Sequence, residues 1–281
     1  MIELIIVIVL MGSIATLVTS IFAKPFLQYE TLSRRATLVS LGNAAIARIE
    51  YDLKNAVPNS VRVSADNKLI EFMEIADGGR YRYVDDVSDS KANALAPGFD
   101  DSSFHVLGNL SKVGTGALNN MRLVVNPFNT EALYTAAADG GIGIITPTTT
   151  SITRTAGGTS GVPADEDLIT LSNAFKFDLI GNGSPRKRFY LTDAQVSYLC
   201  VIADNEIKRY SGYAVMNSID PSMLTGTSGA LLTNQVSECT FQYETGIAQR
   251  LGIVTVTLVL EDTFNNDKIS FVKQIRVSNV P

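Results

Sequence analysis

The first stretch of the chain, MIELIIVIVLMGSIATLVTSIFA, constrains the rest more than any other. From Ile2 to Ala23 it holds one charge, Glu3, and no proline. As a helix it would extend roughly 33 Å, about the hydrocarbon thickness of a bilayer. Its polar side chains (Ser13, Thr16, Thr19, Ser20) can return their hydroxyls to the helix backbone. This predicts a transmembrane helix half over residues 1–23. Glu3 is the oddity. An acid near the bilayer centre costs about 2.5–3.5 kcal/mol and calls for a partner, whereas one at the end of the span reaches headgroup water. Both readings of Glu3 stand at this point.

Helical periodicity continues beyond the apolar run. Leu38, Leu41, Ala45, Ile49 and Leu53 recur at three- and four-residue spacing, with Arg34, Arg48, Glu50 and Lys54 on other faces. Lys24-Pro25 marks a kink or a division between two helical segments, and Pro58 ends the pattern. Residues 24–57 therefore read as an amphipathic helix half whose apolar stripe must pack on the strands C-terminal to it.

From Ser60 the period changes to two, and residues 58–281 read as a β-rich head. Leu69–Ile75 and Tyr81–Val84 read as strands joined by a turn at Asp77-Gly78-Gly79. Residues 85–102 read as an exposed acidic loop, and 146–167, rich in Thr, Gly and Ser, as a mobile one. Short strands are expected at about 103–107, 121–126 and 142–145. Leu168–Leu171, Arg188–Leu191, Gln195–Ala203, Glu206–Tyr210 and Ser237–Glu244 are further strands. In Ile253–Leu260 the residues Val254, Val256, Leu258 and Leu260 share one face, with Thr255 and Thr257 opposite, as in a half-buried antiparallel strand. Its partner is Ile269–Val277, reached through a turn at Asn265-Asn266-Asp267. The fold class expected is α+β, a long N-terminal helix on an antiparallel β-rich head.

Chemistry is sparse. The net charge is −5, and the basic runs Arg34-Arg35 and Arg186-Lys187-Arg188 are too short for a nucleic-acid footprint. His105 is the only histidine and sits in a strand pattern, which leaves no room for a histidine triad. Gly140-Gly141-Ile142-Gly143 lacks the lysine and the strand-turn-helix context of a phosphate loop, and Ser160 lacks the spacing of a nucleophile elbow. The acids Asp85, Asp86, Asp89, Asp100, Asp101, Asp165, Glu166 and Asp167 offer oxygen ligands without the spacing of an EF-hand. No enzyme activity and no cofactor are expected.

The run Ile2-Glu3-Leu4-Ile5-Ile6-Val7-Ile8-Val9-Leu10-Met11-Gly12 resembles the N-terminus of type IV prepilins and pseudopilins. Ile2-Glu3-Leu4, the β-branched run and Gly12 lie in register with that family. Met1 stands where the family has Leu, so the family's basic leader and cleavage glycine are not within the chain, as if it began late or at an internal start. The C-terminal Gln274–Pro281 more weakly resembles minor pilins of the mannose-sensitive haemagglutinin pilus. The resemblance implies a pilin-like minor subunit for assembly or capping of a type IV pilus or a secretion pseudopilus. Glu3 and Gly12 would act in assembly, with Glu3 meeting the N-terminal amine of a neighbour. Its partners would be sister pilin subunits bound through the N-terminal helix, the inner membrane, and the prepilin peptidase on the precursor. Its location would be the inner membrane, single-pass with an extracytoplasmic head, and then the surface pilus.

Two cautions come from the residues themselves. Lys24, Arg34 and Arg35 come after the apolar run, a charge bias that taken literally puts the head in the cytoplasm. Ile21-Phe22-Ala23 also imitates a signal-peptidase site, although the chain lacks a basic start. An extracytoplasmic head makes Cys200 and Cys239 a disulfide pair, and two separate buried thiols are the alternative. The rival function is a membrane-anchored tip adhesin or sugar-binding module seated on the loops 85–102 and 146–167.

Overall fold

The computed structural model describes residues 2–84, 93–141, 143–159, 161–178, 184–246 and 250–279, with the backbone alone at residue 17 and residues 19–27. Helix α1 (Ile2–Lys54) runs 53 residues and continues through position 25. Everything after it is mostly antiparallel sheet. The strands are β1 (Arg62–Val63), β2 (Leu69–Arg80), β3 (Asp100–Leu107), β4 (Gly116–Leu118), β5 (Arg122–Val125), β6 (Ile152–Thr155) and β7 (Glu166–Lys176). They continue as β8 (Arg188–Val201), β9 (Glu206–Ser211), β10 (Ala230–Thr233), β11 (Val236–Glu244), β12 (Gly252–Glu261) and β13 (Lys268–Val277). A short helix α2 (Thr130–Ala138) lies between β5 and β6.

Three sheets result. The largest has the order β1-β2-β8-β9-β10, with β5 also paired to β8; the others are β11-β12-β13 and β3-β7-β6-β4. Strand β8, 14 residues long, is the spine. One edge pairs with β2 along nearly its whole length, and the other is shared, with β5 on Phe189–Thr192 and β9 on Val196–Val201. The first half of β8 and β5 face the β3-β7-β6-β4 sheet through Phe104, Ile169, Phe189 and Leu191. The second half joins α1 and the β11-β12-β13 sheet through Phe72, Val196, Tyr198, Phe241 and Val256. Helix α2 covers a third core built on Met73, Val124 and Tyr190.

Several expectations change. Among the described residues no helix is long and apolar enough to cross a membrane. Further along, α1 carries Glu30, Arg34 and Arg35. The expected transmembrane helix, the pilin-like fold class built on it and the single-pass inner-membrane location are therefore corrected. Asp77-Gly78-Gly79 is not a turn but the continuation of β2. A Cβ at Gly78 would stand 2.9 Å from the Phe189 carbonyl oxygen, and one at Gly79 3.0 Å from Val106, so glycine lets neighbouring chain pack closely there. Arg188–Leu191 and Gln195–Ala203 fuse into the single strand β8. The expected loop 146–167 contains β6, whose Ile152 is fully buried. Residues 85–92, Ile142 and Ser160 lie outside the described residues, and with them Asp85, Asp86 and Asp89.

Candidate functional site

The helix divides at its burial. Leu38, Ala45, Ile49 and Leu53 are buried against the head, with Leu41 and Ile46 packed beside them. Phe271 of β13 lies where a Cβ on Gly42 would be, 2.4 Å away, so glycine brings the helix and sheet into close approach. Arg34 sits 3.7 Å over the Phe264 ring at the β12–β13 hairpin, and Arg35 pairs with Asp267 at 3.3 Å. Glu50 pairs with Lys273 at 3.3 Å.

The strongest polar tie is Asp52, fully buried at the helix end. Its Oδ2 accepts from the Tyr198 hydroxyl at 2.7 Å and from Arg209 Nε at 2.8 Å. Arg48 Nε stands 3.0 Å from Oδ1 but out of line for a hydrogen bond, so that contact is ionic only. Burial, and then the nearby Asp52 charge, pushes the Glu74 carboxyl above the ordinary range.

The other half of the helix is the candidate site. Ile2, Leu4 to Met11, Ile14 and Val18 are all exposed, from 45% at Val18 to 74% at Ile2. Consecutive positions are exposed, so the apolar surface surrounds the helix instead of forming one stripe. Continuous apolar surface on this scale marks a contact site in a folded protein. Ser13 Oγ donates to the Val9 carbonyl at 2.8 Å and Thr16 Oγ1 to that of Ser13 at 2.9 Å, so both hydroxyls are turned back onto the helix. The side chains of Thr19 and Ser20 lie outside the described residues. A Cβ on Gly12 would meet nothing within 4 Å, so no contact among the described residues requires glycine there. Glu3 is exposed at the start of this surface, with apolar side chains on either side.

The head uses its remaining candidates internally. Cys200 and Cys239 are bonded, tying β8 to β11 and hence the six-stranded sheet to the three-stranded one. Removing both sulfurs by Cys200→Ala with Cys239→Ala should cost about 2–4 kcal/mol, from the loop-closure entropy of the unfolded chain. Urea unfolding of the variant checks this, and thiol titration of the unreduced protein should find none free. His105 is buried, and its Nδ1 accepts from the Asn93 amide at 2.8 Å.

Three of the acids are spent in the same way, while Asp100 and Asp165 are exposed. Asp167 accepts from Arg154 Nε at 2.9 Å and from the Leu110 and Gly157 amides, and Glu166 pairs with Arg82. Asp101 accepts from the Ala96 and Ser103 amides. Among the described residues no group of acids, histidines or cysteines is arranged to hold a metal ion.

One constellation has no counterpart in the sequence pattern. Glu71, fully buried in β2, is 2.5 Å from Arg62 and accepts from the Tyr213 hydroxyl at 2.8 Å. Arg62 also donates to the Met216 and Asn217 carbonyls and lies 3.5 Å over the Tyr134 ring. A lone acid inside Leu69-Ile70-Glu71-Phe72-Met73 is the one signal of it that the sequence offers.

No protein family, curated protein or solved structure matches the chain. The resemblance of the N-terminal run to prepilins thus stands on that run alone.

Proposed function

We propose that this protein is a structural subunit that assembles with further copies or sister subunits through the exposed apolar half of α1. It would be a filament subunit of the pilin and pseudopilin kind. The observation that carries the reading is the division of one helix. Its C-terminal half is cored into a head with its own disulfide and buried ion pairs, while its N-terminal half bears apolar side chains on every side. A helix that is hydrophobic all round is buried in something, and neighbouring copies of the same helix are the partners that match it in length and shape. Gly12, open on its outer side, is where two such helices approach most closely. Glu3 favours one axial register, because a carboxylate enclosed by apolar helices needs a cation from the neighbouring subunit.

The experiment is a comparison of the full chain with one beginning at Gln28, by sedimentation and electron microscopy. The full chain should assemble, and the shortened chain should be monomeric with the β-sheet circular dichroism of the full one. Assembly of the shortened chain to the same extent would contradict the reading.

A further inference from the structure

On its β5-β9 edge, β8 pairs with β5 as far as Thr192 and takes up β9 only at Val196. Opposite this gap the β2–β8 ladder slips register between Met73↔Gln195 and Ile75↔Thr192. Bulges of this kind often re-aim side chains at functional positions. Here the interruption borders a small, partly open pocket of about 20 Å³ lined by Met73, Arg122, Ile145, Thr192, Asp193 and Gln195. That volume suffices for a particle of the size of one water.

Arg122 and Thr192 are direct cross-strand partners, 8% and 4% exposed. Arg122 donates through Nε to the Thr146 carbonyl at 2.6 Å and through Nη1 to that of Ala137 at 3.0 Å. Its Nη2 has no partner among the described residues, and neither has Thr192 Oγ1. Arg122 makes no ion pair with a carboxylate among the described residues, the exposed Asp193 at the cavity wall included, and burial alone lowers its pKa to about 10. A buried cation without a counter-charge is costly. A water could satisfy both atoms, since Thr192 Oγ1 can donate or accept, but it would leave the buried Arg122 charge without a counter-charge, and that charge favours an anion. The geometry points to a site for one monatomic halide-class anion, chloride or bromide, held between Arg122 Nη2 and Thr192 Oγ1.

Thermal unfolding of the full chain, dispersed in mild non-ionic detergent, tests this. Chloride or bromide would be exchanged at constant ionic strength for gluconate, an anion far larger than the cavity. The midpoint should rise saturably with chloride and with bromide, the unfolding constant falling about tenfold at a tenfold excess over Kd. Thr192→Val and Arg122→Met should each remove most of that dependence. Equal midpoints in chloride and gluconate would overturn the inference, as for a cavity holding an ordered water or an Arg122 neutralised by Asp193. A halide dependence unchanged in Thr192→Val would overturn it too, by assigning the effect to the general surface. That variant keeps the test decisive should Arg122→Met fail to fold.

Discussion

Arg62→Met should lower the stability of the head by about 3–5 kcal/mol at neutral pH, the usual consequence of stranding one partner of a buried ion pair. Arg62 is the only cation against Glu71 among the described ion pairs, and Glu71 is fully buried. Desolvation already raises the Glu71 pKa above its ordinary 4.5 even with Arg62 in place, since burial outweighs the attraction. An acid with a raised folded pKa binds its proton more tightly when folded, so its contribution is most favourable below the unfolded value and worsens as pH rises through the folded one. Without Arg62 that pKa rises further, so the penalty should be largest at pH 7, shrink as pH falls from the variant's folded pKa to the wild-type one, both above 4.5, and be smallest at more acid pH. Urea unfolding of both proteins at pH 7 and pH 4 measures it. A loss of the same size at both values would assign the effect to the lost packing on Tyr134 and the two carbonyl hydrogen bonds.

The second large effect should appear without any loss of stability. Val9→Lys places an ammonium in the middle of the exposed apolar half of α1, where Val9 is 62% exposed and touches none of the head cores. In the isolated subunit that lysine is solvated and costs almost nothing. In a bundle of apolar helices it is a buried, unpaired charge, a penalty of several kcal/mol for each subunit added. Assembly should fall at least a hundredfold in apparent affinity, while the thermal midpoint of the head stays within a degree or two. Ultracentrifugation over a concentration series reads the first quantity and near-ultraviolet circular dichroism the second.

Periodicity made part of the fold legible in the sequence. The stripe Leu38, Ala45, Ile49 and Leu53 is buried as its spacing predicts, and so are Val254, Val256, Leu258 and Leu260 of β12, which alternate with half-exposed residues. The exposed apolar half of α1 is legible as an apolar run, but its reading as a membrane span is not sustained. Hydropathy reports that a surface must be covered and does not report by what.

Helix α2 escapes the pattern because Thr130–Ala138 is short and rich in alanine. Its one local marker is the Asn129 cap, whose side chain accepts from the Ala132 amide at 2.7 Å. Strand β6 escapes it because Thr153 and Thr155 resemble the loop around them, and only pairing with β7 makes it a strand. The Asp52, Glu71 and Arg122 arrangements join residues 70 to 157 positions apart, or lie beside neighbours whose proximity depends on strand register, so no local pattern reveals them.

The central claim is that copies of this chain meet along the apolar half of α1. Its most direct test is oxidative cross-linking of single cysteines introduced as Ile6→Cys, Leu10→Cys and Ile14→Cys, positions along one face of the helix. The native cysteines are already paired, so only the new thiol can react between subunits. The account predicts disulfide-linked dimers from at least one of these positions, and a monomer from Thr263→Cys on the exposed β12–β13 hairpin. Three uncross-linked helix variants, or equal linking through residue 263, would contradict it.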